Sequence, residues 1–443
     1  MRRASLRAFA LALAAVTAAA LAASPAATAA AFGSRAGGKL IAPGRTAPAA
    51  VTDGAGGVIV SSRDATDGVA VVNRYDALGS PVWDQGIEFP DASGIQLAAD
   101  GSGGAIVAVH HPDSAVMTVG RILHSGATTW QARFPSGALV AGGDGGAWIV
   151  SQSGEIFADG VDAAGALRPR LQVTTSPDAE SLPVAIGDGA GGAYLAWRAA
   201  LSETQFALRL QHLTAAGALW AAPAEVAGSS DSSITPRLAP DGRGGVVVSW
   251  DAAGLVWVHD YSSDGIPVWD QVVTIPATEG TVSAVGASGG EVFVAWTRRL
   301  RTLPSPTDVL NVSFVASTGA MHWTRHVAVV DNGVRGLTID AAVGAAVVAW
   351  EHAAIPFAGA ALDPDLSIYR VTSGGEETYP AHRRPLADSF GPESLGALVA
   401  AGGGSVVAVF TQTPCFRGDV SGVAMQRIAA GGERSFRADG ACP

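Results

Sequence analysis

The sequence predicts an all-β protein made of about eight repeated four-stranded units. A turn rich in Asp and Gly, followed by an apolar strand, recurs at intervals of roughly 42 to 60 residues, which suits one four-stranded unit per interval. A second turn, which in most units leads to a tryptophan, lies about 20 residues after the first. No helical periodicity is sustained after the N-terminal segment.

The first turn has five clear copies and three degenerate ones. The clear copies are Asp53–Gly57, Asp100–Gly104, Asp144–Gly146, Asp188–Gly192 and Asp241–Gly245. The degenerate copies are Ser288–Gly290, Val343–Ala345 and Gly402–Gly404. Because Asp satisfies turn amides and Gly supplies a positive φ, each copy predicts a tight reversal between two strands.

Most of the eleven tryptophans fall at fixed positions in these units. One set follows the second turn and another closes the apolar strand: Trp83, Trp130, Trp220, Trp269 and Trp323, then Trp197, Trp250, Trp296 and Trp350. Rings that recur in this way indicate packing between units rather than a platform for carbohydrate stacking.

Each unit accommodates four strands, here named A to D. Strand B, such as Val246–Trp250, is continuously apolar, whereas strand C, such as Ala207–Gln211, alternates. We therefore predict a single β-propeller of eight four-stranded blades, with seven as the alternative if the last copy only caps the ring. We expect Lys39–Ala42 to supply a strand to the final blade, because the C-terminal end lacks a full strand D.

The repeats resemble those of secreted bacterial β-propeller proteins, with the patterns D-G-x-G-G and D-x-x-G-x-x-x-W. The resemblance covers nearly all of the chain from about residue 40 and implies architecture rather than activity. The chain is more distantly similar to quinoprotein-like eight-bladed propellers, which include dehydrogenases and non-catalytic assembly factors. It carries no adjacent-cysteine pair and no clear cofactor ligand set, so we expect no cofactor.

The N-terminal segment has the features of a secretory signal peptide. Arg2, Arg3 and Arg7 precede the uncharged stretch Ala8–Ala23, and Ala27–Ala29 provides a small-residue cleavage site. We assign residues 1–30 to the signal peptide and 31–443 to the propeller. We expect a secreted or periplasmic protein exported by the general pathway, with a twin-arginine signal as the alternative.

The charge and the cysteine content indicate which partners and which covalent cross-links to expect. The formal net charge of −11 disfavours nucleic acid as a partner, and no later stretch could span a membrane. We expect a monomer. Cys415 and Cys442 are the two cysteines, and in an exported protein such a pair predicts a disulfide.

The sequence indicates no metal site. His322 and His326 flank Trp323 in a predicted strand, where four residues span about 13 Å, too far for one ion. Calcium loops need several oxygen ligands, whereas each Asp-Gly turn offers a single Asp.

Long connections are the best candidates for a functional site. In a four-stranded blade the A–B and C–D turns share one face of the disc, and the B–C and D–A connections share the other. The B–C connections of units six to eight are long, and binding residues usually lie on such loops. The candidate binding residues are Arg298, Arg299, Arg301, Glu351, His352, Arg417 and Asp419.

Two functions fit these observations. The first is an exported non-enzymatic binding or scaffold module that recognises a protein or carbohydrate partner through its long-loop face. The alternative is a polysaccharide-acting hydrolase or lyase with a site at the propeller mouth, for which a carboxylate pair about 5 to 9 Å apart would be needed. A non-enzymatic role is favoured, and the sequence identifies no catalytic residue.

Overall fold

The computed structural model describes residues 38–175, 179–229, 234–278, 281, 283–301, 307–354, 363–379, 384–387, 393–412 and 421–435. All of them belong to one compact unit, Ser34–Pro443. The described residues form eight separate four-stranded antiparallel sheets and contain no helix. The chain is therefore an eight-bladed β-propeller, as predicted, and the seven-bladed alternative is wrong.

Each of the first four blades consists of consecutive strands in the order A, B, C, D. Blade 1 is β2 (Arg45–Thr52), β3 (Val58–Asp64), β4 (Ala70–Tyr75) and β5 (Ile87–Phe89). Blade 2 is β6 (Gly94–Ala99), β7 (Ala105–His110), β8 (Val116–Ile122) and β9 (Thr128–Pro135). Blade 3 is β10 (Ala138–Ala141), β11 (Ala147–Ser153), β12 (Glu155–Val161) and β13 (Leu167–Gln172). Blade 4 is β14 (Ala179–Gly187), β15 (Ala193–Ala200), β16 (Phe206–Leu213) and β17 (Ala224–Ser229).

Blades 5 to 7 repeat this order, and blade 8 closes the ring. Blade 5 is β18 (Thr235–Pro240), β19 (Val246–Ala252), β20 (Leu255–Tyr261) and β21 (Val273–Pro276). Blade 6 is β22 (Ser283–Ser288), β23 (Glu291–Arg301), β24 (Thr307–Val315) and β25 (Met321–Asp331). Blade 7 is β26 (Val334–Ala342), β27 (Ala345–Ala354), β28 (Asp363–Thr372) and β29 (Arg384–Ala387). Blade 8 is β30 (Ser394–Ala400), β31 (Val406–Gln412), β32 (Gly422–Ile428) and the N-terminal strand β1 (Lys39–Pro43).

The ring is closed by a strand from the opposite end of the chain. Strand β1 pairs antiparallel with β32, with Lys39 opposite Met425 and Leu40 opposite Ala424. This confirms the expectation that the Lys39–Ala42 segment completes the last blade. The innermost strands of blades 8 and 1, β30 and β2, lie against each other, so the A strands form a continuous inner circle.

Packing between neighbouring blades forms the core. The B strands are almost wholly buried because each is covered on both faces, and the hydrophobic clusters combine residues from adjacent blades. Four second-turn tryptophans donate the indole N–H to a carbonyl in the next blade: Trp83 to His124, Trp220 to Ser263, Trp269 to Ser317 and Trp323 to Ser373. The regular tryptophans are thus packing residues, as the sequence indicated.

The strand order assigns every connection to one of two surfaces. We call the surface formed by the A–B and C–D turns the turn face, and the surface formed by the B–C and D–A connections the loop face. The three long B–C connections predicted for units six to eight belong to the loop face, in blades 6, 7 and 8. Those of blades 6 and 7 are shorter than expected, because β23 continues to Arg301 and β27 to Ala354.

Two of the sequence assignments fall outside the described residues. The predicted signal peptide, residues 1–30, and both cysteines of the predicted disulfide, Cys415 and Cys442, lie there. Both assignments stay predictions. Within the described ranges, no helix is long and apolar enough to cross a membrane.

Candidate functional site

Hydrogen bonds between blades cover much of the loop face. The amide of Gln96 in blade 2 donates to the carbonyl of Gly137 and accepts the N–H of Leu139 at 2.8 Å, which ties blade 2 to blade 3. The hydroxyl of Ser283 in blade 6 donates to Asp251 of blade 5 at 2.9 Å. Polar side chains at strand ends thus join neighbouring blades. A polar side chain on the loop face that makes no such contact is therefore a candidate for ligand binding.

Arg299 is a structural residue in the β23–β24 hairpin. Its guanidinium binds Asp308 through two contacts, Nε to Oδ1 at 2.7 Å and Nη2 to Oδ2 at 3.2 Å. The same Asp308 accepts the N–H of Val334 at the start of blade 7. Because the Asp308 side chain is 1% exposed, this carboxylate is balanced by Arg299 and holds blades 6 and 7 together. The Asp308 hydrogen bond also raises the pKa of Arg299.

Glu351 and His352 also contact protein groups at the end of β27. Glu351 accepts the N–H of Leu395 at 2.8 Å and so connects blade 7 to blade 8. The Nε2 of His352 lies 2.9 Å from the hydroxyl of Ser367 on the neighbouring strand. Both side chains are half-buried. Their positions within the strand account for these contacts without a ligand.

Four sequence candidates remain. Arg298 is exposed, and it forms no ion pair with any other described residue. Arg301 ends β23, and its side chain lies outside the described part of the chain. Arg417 and Asp419 lie outside the described residues altogether. The structure therefore brings Arg298, Arg299, Glu351 and His352 to one face in adjacent blades, and leaves Arg298 available.

The structure adds two residues to this region that the sequence did not single out. Arg335 is exposed one residue after Val334, whose N–H is bound by Asp308. Leu300, 55% exposed, follows the Arg299 that binds the same carboxylate. We call Arg298, Leu300 and Arg335 the arginine surface. Arg335 was missed because its strand begins beside β23 through tertiary packing, and no local motif marks it.

A second group on the loop face joins blades 3 and 4. Glu180, at the start of β14, is 6% exposed, and neither of its carboxylate oxygens has a hydrogen-bond partner among the described residues. Glu155, in the adjacent blade, accepts a hydrogen bond from Thr174 at 2.7 Å. Burial, and to a smaller extent the charge of Glu155, raises the pKa of Glu180.

This carboxylate pair has one property of an acid–base site and lacks another. Two carboxyl groups in neighbouring blades, one of them with a raised pKa, form the kind of pair that acid–base chemistry uses. The Glu180 oxygens, however, are buried away from solvent. A substrate has no access to them in this structure, so the pair serves to pack blade 3 against blade 4.

A small cavity on the turn face lies between blades 7 and 8. It has a volume of about 150 Å³, and Asp340, Arg370 and the glycines 402–404 contribute to its wall. Burial raises the pKa of Asp340 to about 6. The guanidinium of Arg370 donates to Thr378 at 2.7 Å. The cavity is too small for most ligands, whose pockets measure about 300 Å³ or more.

The described residues contain no group of three or more His, Cys, Asp or Glu side chains arranged to hold a metal ion. His322 and His326 are both exposed on β25, and the ring of His322 packs edge-on against Phe314. Neither histidine contributes to such a group.

Comparison with known proteins supports the fold and does not extend to function. No protein-family model matches the chain, and no curated protein matches it. Prolyl oligopeptidase B from Galerina marginata, in a structure bound to a 25mer macrocyclization substrate, is similar with a TM-score of 0.50 and 12% identity. That match covers 84% of this chain and 55% of the other, so this chain spans about half the length of that protein.

Two further structures are similar with lower TM-scores. An uncharacterised protein of Listeria monocytogenes has a TM-score of 0.46 and 9% identity, over 81% of this chain and 99% of the other. A GH43 endo-arabinanase from Bacillus licheniformis has a TM-score of 0.30 and 10% identity, over 54% of this chain and 94% of the other. At these identities the similarity concerns the propeller alone.

Proposed function

We propose that this chain is an exported, non-catalytic binding module that recognises a carboxylate-bearing protein or glycan through the arginine surface of blades 6 and 7. The observation that carries the proposal is the exposure of Arg298 and Arg335, neither of which is ion-paired within the described residues. The protein as a whole has a net charge of −11, so two exposed cations without an ion pair in the described part of the chain, on the same face of neighbouring blades, are unusual.

The surroundings of these arginines favour recognition. Asp308 is occupied by Arg299 and by the Val334 N–H. Glu351 lies opposite Arg335 in the strand pair and accepts the N–H of Leu395. Arg298 and Arg335 therefore remain free to bind an external carboxylate, which the planar guanidinium does with two parallel hydrogen bonds. Leu300 adds an apolar contact that a protein or a sugar face would cover.

A rigid support makes this surface suitable for binding. Arg298 lies on β23 rather than in a flexible connection, and the Arg299–Asp308 contacts fix the hairpin that carries it. Side chains held on regular strands lose less conformational entropy on binding than side chains on loops. The alternative, a polysaccharide-acting hydrolase or lyase, requires an accessible carboxylate pair, and the buried oxygens of Glu180 exclude the Glu155–Glu180 pair from that role.

The test is binding by the full-length mature protein. Glycan and protein arrays are probed with the wild type and with the double variant Arg298→Glu/Arg335→Glu, and ligands that bind are measured by calorimetry. We expect the double variant to lose at least about tenfold in affinity, because charge reversal replaces attraction with repulsion. The wild-type affinity should also fall as salt concentration rises.

Arg133→Glu is the matched control, since Arg133 is an exposed arginine on β9 in blade 2. Equal loss of binding in the control and in the double variant would reject the arginine surface. Release of reducing sugars from a bound polysaccharide would reject the non-catalytic proposal and support the hydrolase.

A further inference from the structure

The A–B turn aspartates have a recurring cationic partner. In blades 1, 2, 4 and 5 the turn begins with an Asp whose Oδ1 accepts backbone N–H groups of its own turn: Asp53, Asp100, Asp188 and Asp241. All four lie at or near full burial on the turn face, with side chains of 0 to 7% exposure in the three that form ion pairs. A buried carboxylate of this kind requires a compensating charge.

In blades 1, 2 and 4, strand C places a basic side chain beside the carboxylate from one position. Arg74 binds Asp53, Arg121 binds Asp100 and His212 lies against Asp188, each at 2.9 Å from Oδ2. These residues occupy the same place in the sheet, opposite Ile59, Ile106 and Tyr194, the second residue of strand B. The blade therefore pairs a turn carboxylate with a cation at a fixed register.

Blade 6 lacks both members of the pair, whereas blades 7 and 8 keep the basic side chain alone. At this position, two residues before the C–D turn, blade 6 carries Phe314, and blades 7 and 8 carry Arg370, opposite Val347, and Arg427, opposite Val407. Their A–B turns contain no Asp. In blade 3 the turn keeps Asp144 and the position holds Gly160, but Arg168 of strand D lies 3.6 Å from the carboxylate. A turn Asp is thus accompanied by a basic side chain in blades 1 to 4.

Blade 5 keeps the turn carboxylate, but its partner position on strand C holds an acidic residue instead of a basic one. Asp260 lies opposite Val247 at the position of Arg74, Arg121 and His212. It is 0% exposed, and neither oxygen has a hydrogen-bond partner. Asp241, 3% exposed, faces it from the turn. Two buried carboxylates therefore lie where blades 1, 2 and 4 hold one carboxylate and one basic side chain.

The charges around this pair do not balance it. Burial is the main cause that raises the pKa of Asp260 to about 7, and the charge of Asp241 raises it further. Arg243 and the Tyr261 N–H lower it by less, and the N–H is too poorly placed to make a hydrogen bond. The Arg243 guanidinium is directed away, to the carbonyl of Gly289 in blade 6 at 2.6 Å.

We propose that Asp241 and Asp260 bind a hard metal cation, Ca²⁺ by preference, in the place that Arg74, Arg121 and His212 fill in the other blades. Carboxylate oxygens are the ligands that Ca²⁺ prefers, and its flexible coordination accepts main-chain carbonyls and water at the remaining positions. The site provides only two side-chain ligands, so main-chain carbonyls and water must supply the remaining ligands of the ion.

The A–B turn of blade 5 offers one carboxylate, as the sequence indicated. The second carboxylate comes from strand C, and the B–C hairpin brings it to the turn. The site lies on the turn face, so it is independent of the binding function proposed for the loop face.

The experiment measures the thermal unfolding midpoint and direct binding of Ca²⁺. The full chain is freed of metal with EDTA, exchanged into buffer at pH 7.5, and titrated separately with CaCl₂, MgCl₂ and NaCl. We expect Ca²⁺ to raise the midpoint by a few degrees, with one ion bound per chain, because a ligand that binds the native state stabilises it. Mg²⁺ and Na⁺ should have smaller effects.

Three variants make the result specific. Asp260→Arg restores the pair found in blades 1 and 2, and it should raise the midpoint without Ca²⁺ and abolish the response to Ca²⁺. Asp260→Asn is nearly isosteric, which keeps the test valid if the arginine variant does not fold. Asp270→Asn, at an exposed position of the same blade, should respond as the wild type does.

Three outcomes would overturn the proposal. One is a Ca²⁺ response of equal size in the wild type and in Asp260→Asn. Another is the absence of any bound Ca²⁺ at millimolar concentration. The third is a thermal unfolding midpoint that does not respond to Ca²⁺ and depends on pH in the wild type but not in Asp260→Asn. That result would show that the carboxylate pair binds a proton rather than a metal ion.

Discussion

The two faces of this propeller are built on different principles. On the turn face, the same Asp, Gly and cation recur at the same register in several blades, as in the pairs Asp53–Arg74 and Asp100–Arg121. On the loop face, each junction uses its own contacts, such as Gln96 with Leu139 and Glu351 with Leu395. Repeated residues mark structure, and irregular ones mark the surface on which a specific function can develop.

Two residues depart from the pattern of their own face. Asp260 is conspicuous because three other blades show what its position normally holds. Arg298 is conspicuous for the opposite reason, since its neighbours on the loop face are engaged and it is exposed. Four experiments test the contrast, in order of decreasing effect.

The largest effect is expected from a methyl group added inside a turn. A Cβ at Gly104 would lie 2.2 Å from the carbonyl oxygen of Ile122 and 2.8 Å from Asp100 Oδ2. Gly104→Ala should lower the free energy of unfolding by about 3 kcal/mol or more, because the backbone must move. Denaturant unfolding measures this value.

Gly154→Ala is the control on the loop face. Gly154 has a φ of 77° and no atom within 4 Å of an added Cβ, so only backbone strain of about 1 kcal/mol is expected. Equal losses in the two variants would show that the close contacts around Gly104 do not determine the loss of stability.

The second effect concerns the buried ion pairs. Asp100→Ala removes the partner of Arg121 and leaves the N–H groups of Ser102 and Gly104 without their acceptor. We expect a loss of about 3 kcal/mol in unfolding free energy. Asp144→Ala should cost about 1 kcal/mol, since Asp144 is 35% exposed and lies 3.6 Å from Arg168. The reverse order would refute the role of burial.

The third effect is a pH dependence that distinguishes blade 5. The raised pKa of Asp260, about 7, exceeds the value of about 3.9 in the unfolded chain. The folded protein therefore binds more protons than the unfolded protein between these values, and its stability falls as pH rises from about 4 through 7.

The difference between wild type and Asp260→Asn isolates this contribution. Glu180 and Asp340 have raised pKa values as well and act in the same direction in both proteins. With EDTA present, the wild type should lose more stability than the variant between pH 5 and pH 8. Parallel stability curves would show that Asp260 does not titrate in this range.

The smallest effect is expected at the arginine surface. Arg298→Ala and Arg335→Ala should change the free energy of unfolding by less than about 0.5 kcal/mol, because both side chains are exposed and unpaired. Arg299→Ala, in contrast, leaves the buried Asp308 without its cation and should cost about 3 kcal/mol. A large loss at Arg298 would assign it a structural role and weaken the proposed function.

Much of the architecture could be predicted from the sequence because it depends on local chemistry. Turn residues, apolar B strands and recurring tryptophans specify one blade, and their number specifies eight. Even the ring closure by the Lys39 segment followed from counting strands in the last unit. Repeats of this kind contact mainly their neighbours, so the local pattern implies the global fold.

The site was less predictable, since its residues meet through the packing of blades. Arg299 and Glu351 looked like loop residues and became structural once their strands proved longer. Asp260 escaped notice because the cation position is not at a constant distance from the turn Asp. The separation is 21 residues in blades 1 and 2 and 24 in blade 4.

The sequence by itself determined the all-β class, the repeat and the number of blades, since these follow from turn chemistry and strand periodicity. The tertiary structure decided which charges are balanced. The length of each B–C hairpin sets the register between strands B and C, and that register places Asp260 against Asp241 and Arg121 against Asp100. Blade packing likewise engages Arg299 and leaves Arg298 exposed. Charge compensation depends on distances in space, which residue spacing along the chain does not fix.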